Sequence, residues 1–405
     1  MQWLRRFFSL PETTPTAIVL AIFFYCGHLV CSGWVASSEC GAAFAMMAVA
    51  YALYRHQITP SFHILYFPLI AYAFASTISA LAAPRAIHSF GENALWGKIA
   101  LFPVALILFR QVPRSRELAL RALLIFGAFA ATFGLFQYFV LARRDLEHRI
   151  TGPAAHVMTL SGLLLPSALL FLVLWMHDRK NPWLLAGTIV VTFALLLTFT
   201  RSAWLGWLVA VAVLLTLKRP RMLIVAAPLL VFFVTFMPLP LFSRVVSSFD
   251  VHQSSNLDRI RMVQAGVEII KDYPLLGVGP ANIKEVYPLY RKHDAPRFRI
   301  PHLHNNLVQL WAERGILALA AYVLLIGLFL RECARSWNGA ESRFAEVGVA
   351  VTVGLVAAGM FEFNFGDTEV YWMMLDSFAL VIAYLERPQV ANELSPTLVR
   401  PVSES

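Results

Sequence analysis

Long apolar runs separated by short polar stretches recur along almost the whole chain. A helix needs about 20 mostly apolar residues to cross about 30 Å of hydrocarbon. Windows close to that length fall at 16–37, 40–54, 62–82, 94–110, 118–141, 154–176, 183–200, 202–217, 222–240, 303–330, 344–364 and 369–386. The pattern predicts an all-α polytopic membrane protein with about twelve transmembrane helices. One interval breaks the rhythm: residues 238–302 are too polar to span and too long for a structureless connection, so they should fold as a helical lobe. Within it, Ile260, Val263, Val267 and Ile270 form a stripe of 3.6-residue period that predicts a helix from Asn256 to Tyr273, with Ser254, Ser255 and Asn256 available as caps. "PLLGVGPANI" then predicts a turn through Pro274, Gly277, Gly279 and Pro280, and a second short helix around Ile283 to Tyr290. The chain thus divides into residues 1–237 (helices one to nine), 238–302 (the lobe), 303–387 (helices ten to twelve) and 388–405, a polar tail expected to be disordered.

Composition supports this class. The chain is 59% hydrophobic and 14% charged, whereas soluble domains are about half apolar and about a quarter charged. Arg5 and Arg6 before the first apolar run imitate a secretory signal. That run exceeds the usual apolar region of about 7–15 residues and more spans follow, so it is expected to remain as a helix. Cys26, Cys31, Cys40 and Cys333 are too few and too badly placed for a disulfide framework, and no CxxC, HExxH or Walker loop is present.

Charge sets the expected orientation. With the N-terminus inside, Arg5, Arg6, Arg55, Arg110, Arg114, Arg116, Arg179, Lys180, Lys218, Arg219, Arg221, Arg331, Arg335, Arg343 and Arg387 fall on the cytoplasmic side. Twelve spans put both termini in the cytoplasm, and the net charge of +9 follows from this bias without a nucleic-acid partner. Two outer stretches violate it. "ARRDLEHRI" (142–150) carries Arg143, Arg144 and Arg149, and the lobe carries Arg259 and Arg261 among many cations. Cations kept on the disfavoured side imply an anionic ligand. Asp145, Glu147 and His148 could in principle hold a metal, but the flanking arginines favour ion pairs or an acceptor's phosphates, and no DxD occurs in an outer loop.

Three motifs carry chemistry. "HNNLVQLWAERG" places His304 and Asn305 at the mouth of the tenth span and Gly315 deeper within it; "LTFTRSAWLG" places Arg201 at a helix junction; "RIRMVQAGVEIIKDYPLLGVGPANI" begins at Arg259. Together they resemble the bacterial O-antigen ligases and the related polymerases and oligosaccharyltransferases, with a histidine-asparagine, nine residues, glycine pattern at His304, Asn305 and Gly315. In that family the loop arginine is commonly followed four residues later by tryptophan; here the position is Val263, which leaves Arg259 and Arg261 as alternative loop cations on opposite sides of one helix.

The resemblance implies a membrane-embedded, GT-C-like glycosyltransferase of the bacterial inner membrane. Its donor would be a polysaccharide on undecaprenyl pyrophosphate, its acceptor lipid A-core and its active site periplasmic; with no DxD in an outer loop, transfer is expected to need neither metal nor cofactor. A sugar hydroxyl attacking an anomeric carbon as pyrophosphate departs needs a proton acceptor and fixed positive charge. His304 suits the first, since histidine titrates near pH ~6.5. Arginine suits the second, so Arg201 and Arg259 are expected at the pyrophosphate, with Arg261, Asn305, Arg143, Arg144 and Arg149 binding substrate.

Plainer roles compete. His304 could hold the loop, Asn305 could cap the helix, and Arg201 could mark a helix end by snorkelling. Gly315 is expected to allow close helix packing, Gly277 and Gly279 to serve the turn. At 100° per residue Glu313 projects about 180° from His304 and should not orient it. Arg314 is expected to pair with Glu362 or Asp376, because charges inside a bundle are costly alone. A polymerase would use a second carrier-linked acceptor. A protein oligosaccharyltransferase usually carries an additional C-terminal periplasmic portion. A transporter or flippase would gather its charges at the midplane rather than at one surface, and a purely structural scaffold would not need a basic outer lobe.

Overall fold

The computed structural model describes residues 1–91, 95–142, 148–224, 239–247, 250 and 253–386. Every regular element among them is helical. The first ten helices are α1 (Gln2–Phe7), α2 (Thr16–Val30), α3 (Val35–Tyr54), α4 (Tyr66–Ala82), α5 (Ala86–Gly91), α6 (Leu95–Gln111), α7 (Pro113–Phe139), α8 (Val157–His177), α9 (Pro182–Leu197) and α10 (Arg201–Lys218). They are followed by α11 (Leu239–Val246), α12 (Ser254–Asp272), α13 (Ile283–Tyr290), α14 (Asn306–Arg335), α15 (Ser342–Gly359) and α16 (Thr368–Leu385).

Eight helices among the described residues are long and apolar enough to cross a membrane, and α2, α4 and α9 are shorter apolar helices. This is a helical polytopic membrane protein. Eleven of the predicted windows coincide with a helix to within several residues, whereas the ninth, 222–240, lies largely outside the described residues. The first window ends early, because the chain turns at Cys31 and restarts as α3 at Val35. Proline sets two helix starts, Pro113 and Pro182, where its missing N–H has no intrahelical role.

Side-chain placement is that of a bundle in an apolar solvent. Helices α8 and α16 are buried almost all round, whereas α7 shows Phe129, Phe133 and Phe136 outward as a stacked ladder. Helices α10 and α15 approach so closely that a Cβ on Gly206 would lie 2.4 Å from the Gly354 carbonyl oxygen. Deep in the bundle Asp376 is satisfied by His28 at 3.0 Å and by the Tyr25 hydroxyl at 2.7 Å, so it does not meet Arg314.

The lobe follows its sequence pattern. Helix α12 starts two residues before the predicted Asn256 and α13 matches its predicted range. Met262, Ala265, Ile269, Val278, Ile283, Tyr287, Ile300 and Leu303 form a core separate from the bundle's, and Ala312 of α14 closes it from below.

The lobe is joined to the bundle through backbone. Helix α14 is interrupted at Gly315, whose φ of 80° and ψ of 176° are not helical. The turn at 274–280 occupies the break: Val278 N–H donates to Ala312 O (2.9 Å), Gly279 N–H to Glu313 O (2.8 Å), and Ile316 N–H to Pro274 O (3.2 Å). Peptide groups that an unbroken helix would pair internally are thus paired with the lobe. Gly277 and Gly279, at φ 66° and 91°, make the turn, and a Cβ on Gly277 would sit 2.5 Å from the Glu313 backbone. The three glycines expected to act separately form one seam.

Candidate functional site

Each motif resolves into a local device. In "LTFTRSAWLG", α9 ends at Leu197, Phe199 takes a left-handed conformation (φ 53°), and α10 begins at Arg201. The Trp204 indole N–H donates to the Leu195 carbonyl (3.2 Å), which also accepts from the Thr198 hydroxyl (2.7 Å), so α10 is tied to the last turn of α9. This corner aims Arg201 at the lobe. Its guanidinium donates to Ser247 O (3.1 Å), Gln253 Oε1 (3.1 Å), Ser255 Oγ (3.0 Å) and Asn256 Oδ1 (2.6 Å). None of these acceptors is a carboxylate, so the positive charge is held in place without being neutralised.

In "HLHNN", His304 also sits in the left-handed region (φ 51°), outside α14. Asn305 is the helix cap: its Oδ1 accepts from Val308 N–H (3.0 Å) and its Nδ2 donates to Met360 O (2.9 Å). Both ends of that amide are engaged in the fold. Asn306 reaches Asn364 Oδ1 (2.7 Å) and accepts from Phe365 N–H (3.3 Å), pinning the 360–366 connection beside the histidine. Because the helix starts after His304, angles counted round a helix from that residue do not apply. Glu313, expected to face away, lines the same cavity as His304. Arg314 pairs with Glu313 at 3.1 Å and with the Ser76 hydroxyl, not with Glu362 or Asp376.

The pinned connection delivers Glu362. Its Oε1 lies 2.9 Å from His304 Nδ1 and 3.9 Å from His302 Nδ1, and its Oε2 lies 3.8 Å from Arg259 Nη2. Burial pushes the Glu362 carboxyl up, but His304, His302 and Arg259 together outweigh it and hold the group below its ordinary value. Burial, reinforced by His304, pushes His302 down to about 4, so its ring is neutral at neutral pH.

These groups open on one cavity of about 730 Å³ between the lobe and the bundle. Arg149, Arg201, Arg259 and Arg297 line it with His304, and Arg314 joins them lower down. Among the described residues the buried Nη1 of Arg149 has no hydrogen-bond partner, whereas Arg297 is held by Asp258. Sequence left Arg259 and Arg261 open. Arg259 faces the cavity, while Arg261 is paired with Asp294 and Gln264 away from its wall. Arg143, Arg144, Asp145 and Glu147 lie outside the described residues.

Residues 186–323 match a family model described as O-antigen ligase. Over that stretch, about a third of the chain, the protein is similar to the O-antigen ligase family. The matched stretch contains Arg201, Arg259, His304 and Gly315 and ends within α14. No curated protein matches the chain. Glu362 and Arg149 lie beyond the matched stretch yet face the same cavity as His304. Sequence reasoning missed Glu362 as the partner of His304, as well as His302 and Arg297. The signals present were the second histidine of "HLH" and the acid of "FEFNFGD" between two apolar runs.

Proposed function

We propose that this protein transfers a glycan from undecaprenyl pyrophosphate to lipid A-core at the periplasmic face of the inner membrane, without a metal. The observation that carries the proposal is the shared cavity: one imidazole, oriented by a carboxylate, faces several guanidinium groups across a space large enough for two substrate ends. The Glu362 carboxylate beside Nδ1 favours the tautomer protonated there, which leaves the Nε2 lone pair free to accept a proton. The acceptor hydroxyl gives its proton to Nε2 as its oxygen bonds the anomeric carbon. The bond from that carbon to the pyrophosphate oxygen breaks, and the carrier pyrophosphate leaves with the electron pair. Arg201 and Arg259 stabilise the departing charge, and Arg149 supplies further positive charge suited to an acceptor that carries phosphates.

The test is a ligation assay with purified protein in detergent, carrier-linked glycan and lipid A-core, with and without EDTA. Joined product in both conditions is expected. Product formed only between two carrier-linked glycans would replace the ligase reading with a polymerase, and movement of labelled donor across liposomes without any joining would replace it with a transporter.

Glu362 is a positioning residue in this scheme. Glu362→Gln is expected to lower kcat about 10- to 100-fold, the usual cost of losing a group that orients a reactive one, with little change in KM. Glu362→Asp should restore part of the rate. A fall in KM-dependent binding alone, with kcat intact, would show that the carboxylate serves the fold and not the imidazole.

A further inference from the structure

The geometry points to a transition-metal site, suited to Zn²⁺, built from His302, His304 and Glu362, whose occupancy shuts off the base. One ligand atom from each of the three residues lies within 4.8 Å of the others. The ring centroids of the two histidines are 4.2 Å apart, with the planes inclined by 60°. In a tetrahedral site with bonds of about 2.0–2.1 Å, adjacent ligand atoms sit about 3.4 Å from each other. The distances of 2.9 and 3.9 Å from the two Nδ1 atoms to Glu362 Oε1 bracket that value.

The donor atoms are available. His302 Nδ1 and Glu362 Oε2 make no hydrogen bond among the described residues, and His304 Nδ1 faces Glu362 Oε1, a ligand atom of the same site. Two imidazoles and one carboxylate are the ligand set of open zinc sites, and they are too nitrogen-rich for Mg²⁺ or Ca²⁺. The Phe363 ring closes one side at 5.9 Å from that of His302, and the cavity leaves the fourth position open. Arg259 competes for the same carboxylate at 3.8 Å, so a bound ion displaces that ion pair.

Occupancy has a chemical consequence, which rests on the proposed role of His304. An imidazole bound to metal through Nδ1 keeps its proton on Nε2. The nitrogen needed to accept the acceptor's proton is then filled, and transfer stops although the fold is intact.

The test uses full-length protein in detergent, stripped with EDTA and titrated with Co²⁺, whose visible absorption reports tetrahedral nitrogen ligation. One Co²⁺ per chain is expected, displaced by Zn²⁺. His302→Ala should weaken binding at least ten- to hundred-fold, the loss that even an outer partner of a metal ligand produces, while size-exclusion elution shows it folded. Zn²⁺ should inhibit ligation by the unmodified protein, reversibly with EDTA. Absence of Co²⁺ absorption, or binding equal in His302→Ala, would overturn the site and leave the base assignment of His304 standing. Binding at the site with undiminished ligation would overturn the shut-off, and the base assignment with it.

Discussion

Replacing His304 is expected to lower the rate of glycan joining by about 10²- to 10⁴-fold, the contribution typical of a positioned proton acceptor. The replacement must respect the backbone. His304 sits at φ 51°, where asparagine is tolerated better than alanine. His304→Asn therefore separates chemistry from conformation: it keeps a left-handed residue ahead of the Asn305 cap but offers no basic nitrogen. Both variants should lose turnover, and the asparagine variant should keep the thermal stability of the parent in detergent. Measured turnover in His304→Asn within a few-fold of the parent would remove the histidine from the reaction, whatever the alanine variant did. The cation-lined cavity would then need a different acceptor for the proton.

The second large effect is expected at Gly315. A Cβ there would lie 2.0 Å from the Leu275 carbonyl oxygen and 2.7 Å from the Leu276 Cα, both backbone atoms that cannot rotate away. The conformation, φ 80° with ψ 176°, belongs to a region essentially restricted to glycine and costs other residues about 1–3 kcal/mol before any clash. Gly315→Ala should either push the turn at 274–280 off the helix or force the helix to straighten. In both cases the exchanged hydrogen bonds of Ala312, Glu313 and Ile316 are lost and the lobe becomes sensitive to limited proteolysis. Gly327→Ala, on the same helix, is the control: its Cβ would meet nothing within 4 Å, so stability should hold or rise slightly. Equal melting temperatures for the two variants would mean that the break at Gly315 does not hold the lobe.

What the sequence revealed follows from how far each interaction reaches along the chain. Apolar runs, the stripe Ile260–Val263–Val267–Ile270 and the proline and glycine of the turn are local signals, and the helices and the turn appear where they predict. Arg201, Arg259 and His304 were visible because each sits in a short motif, and the fold brings them to one cavity. Glu362 was misassigned because its partner lies 58 positions away and is met only when the Asn306–Asn364 contact pins the intervening connection. Arg314 was misassigned for the opposite reason. Its partner is the adjacent Glu313, which a search for distant carboxylates passes over. The tenth span was started too early, at residue 303, since an apolar window does not register that His304 is left-handed and that Asn305 is the cap. The choice between Arg259 and Arg261 needed Asp294, which claims Arg261 from another part of the lobe.

The seam at Gly315 also bears on how the protein comes apart. Peptide groups there are shared between two structural units, and neither unit can keep them paired without the other. A lobe tethered only by flexible connections would melt on its own at lower temperature, whereas this one is stitched into the first third of α14 and should be lost in the same cooperative transition as that helix.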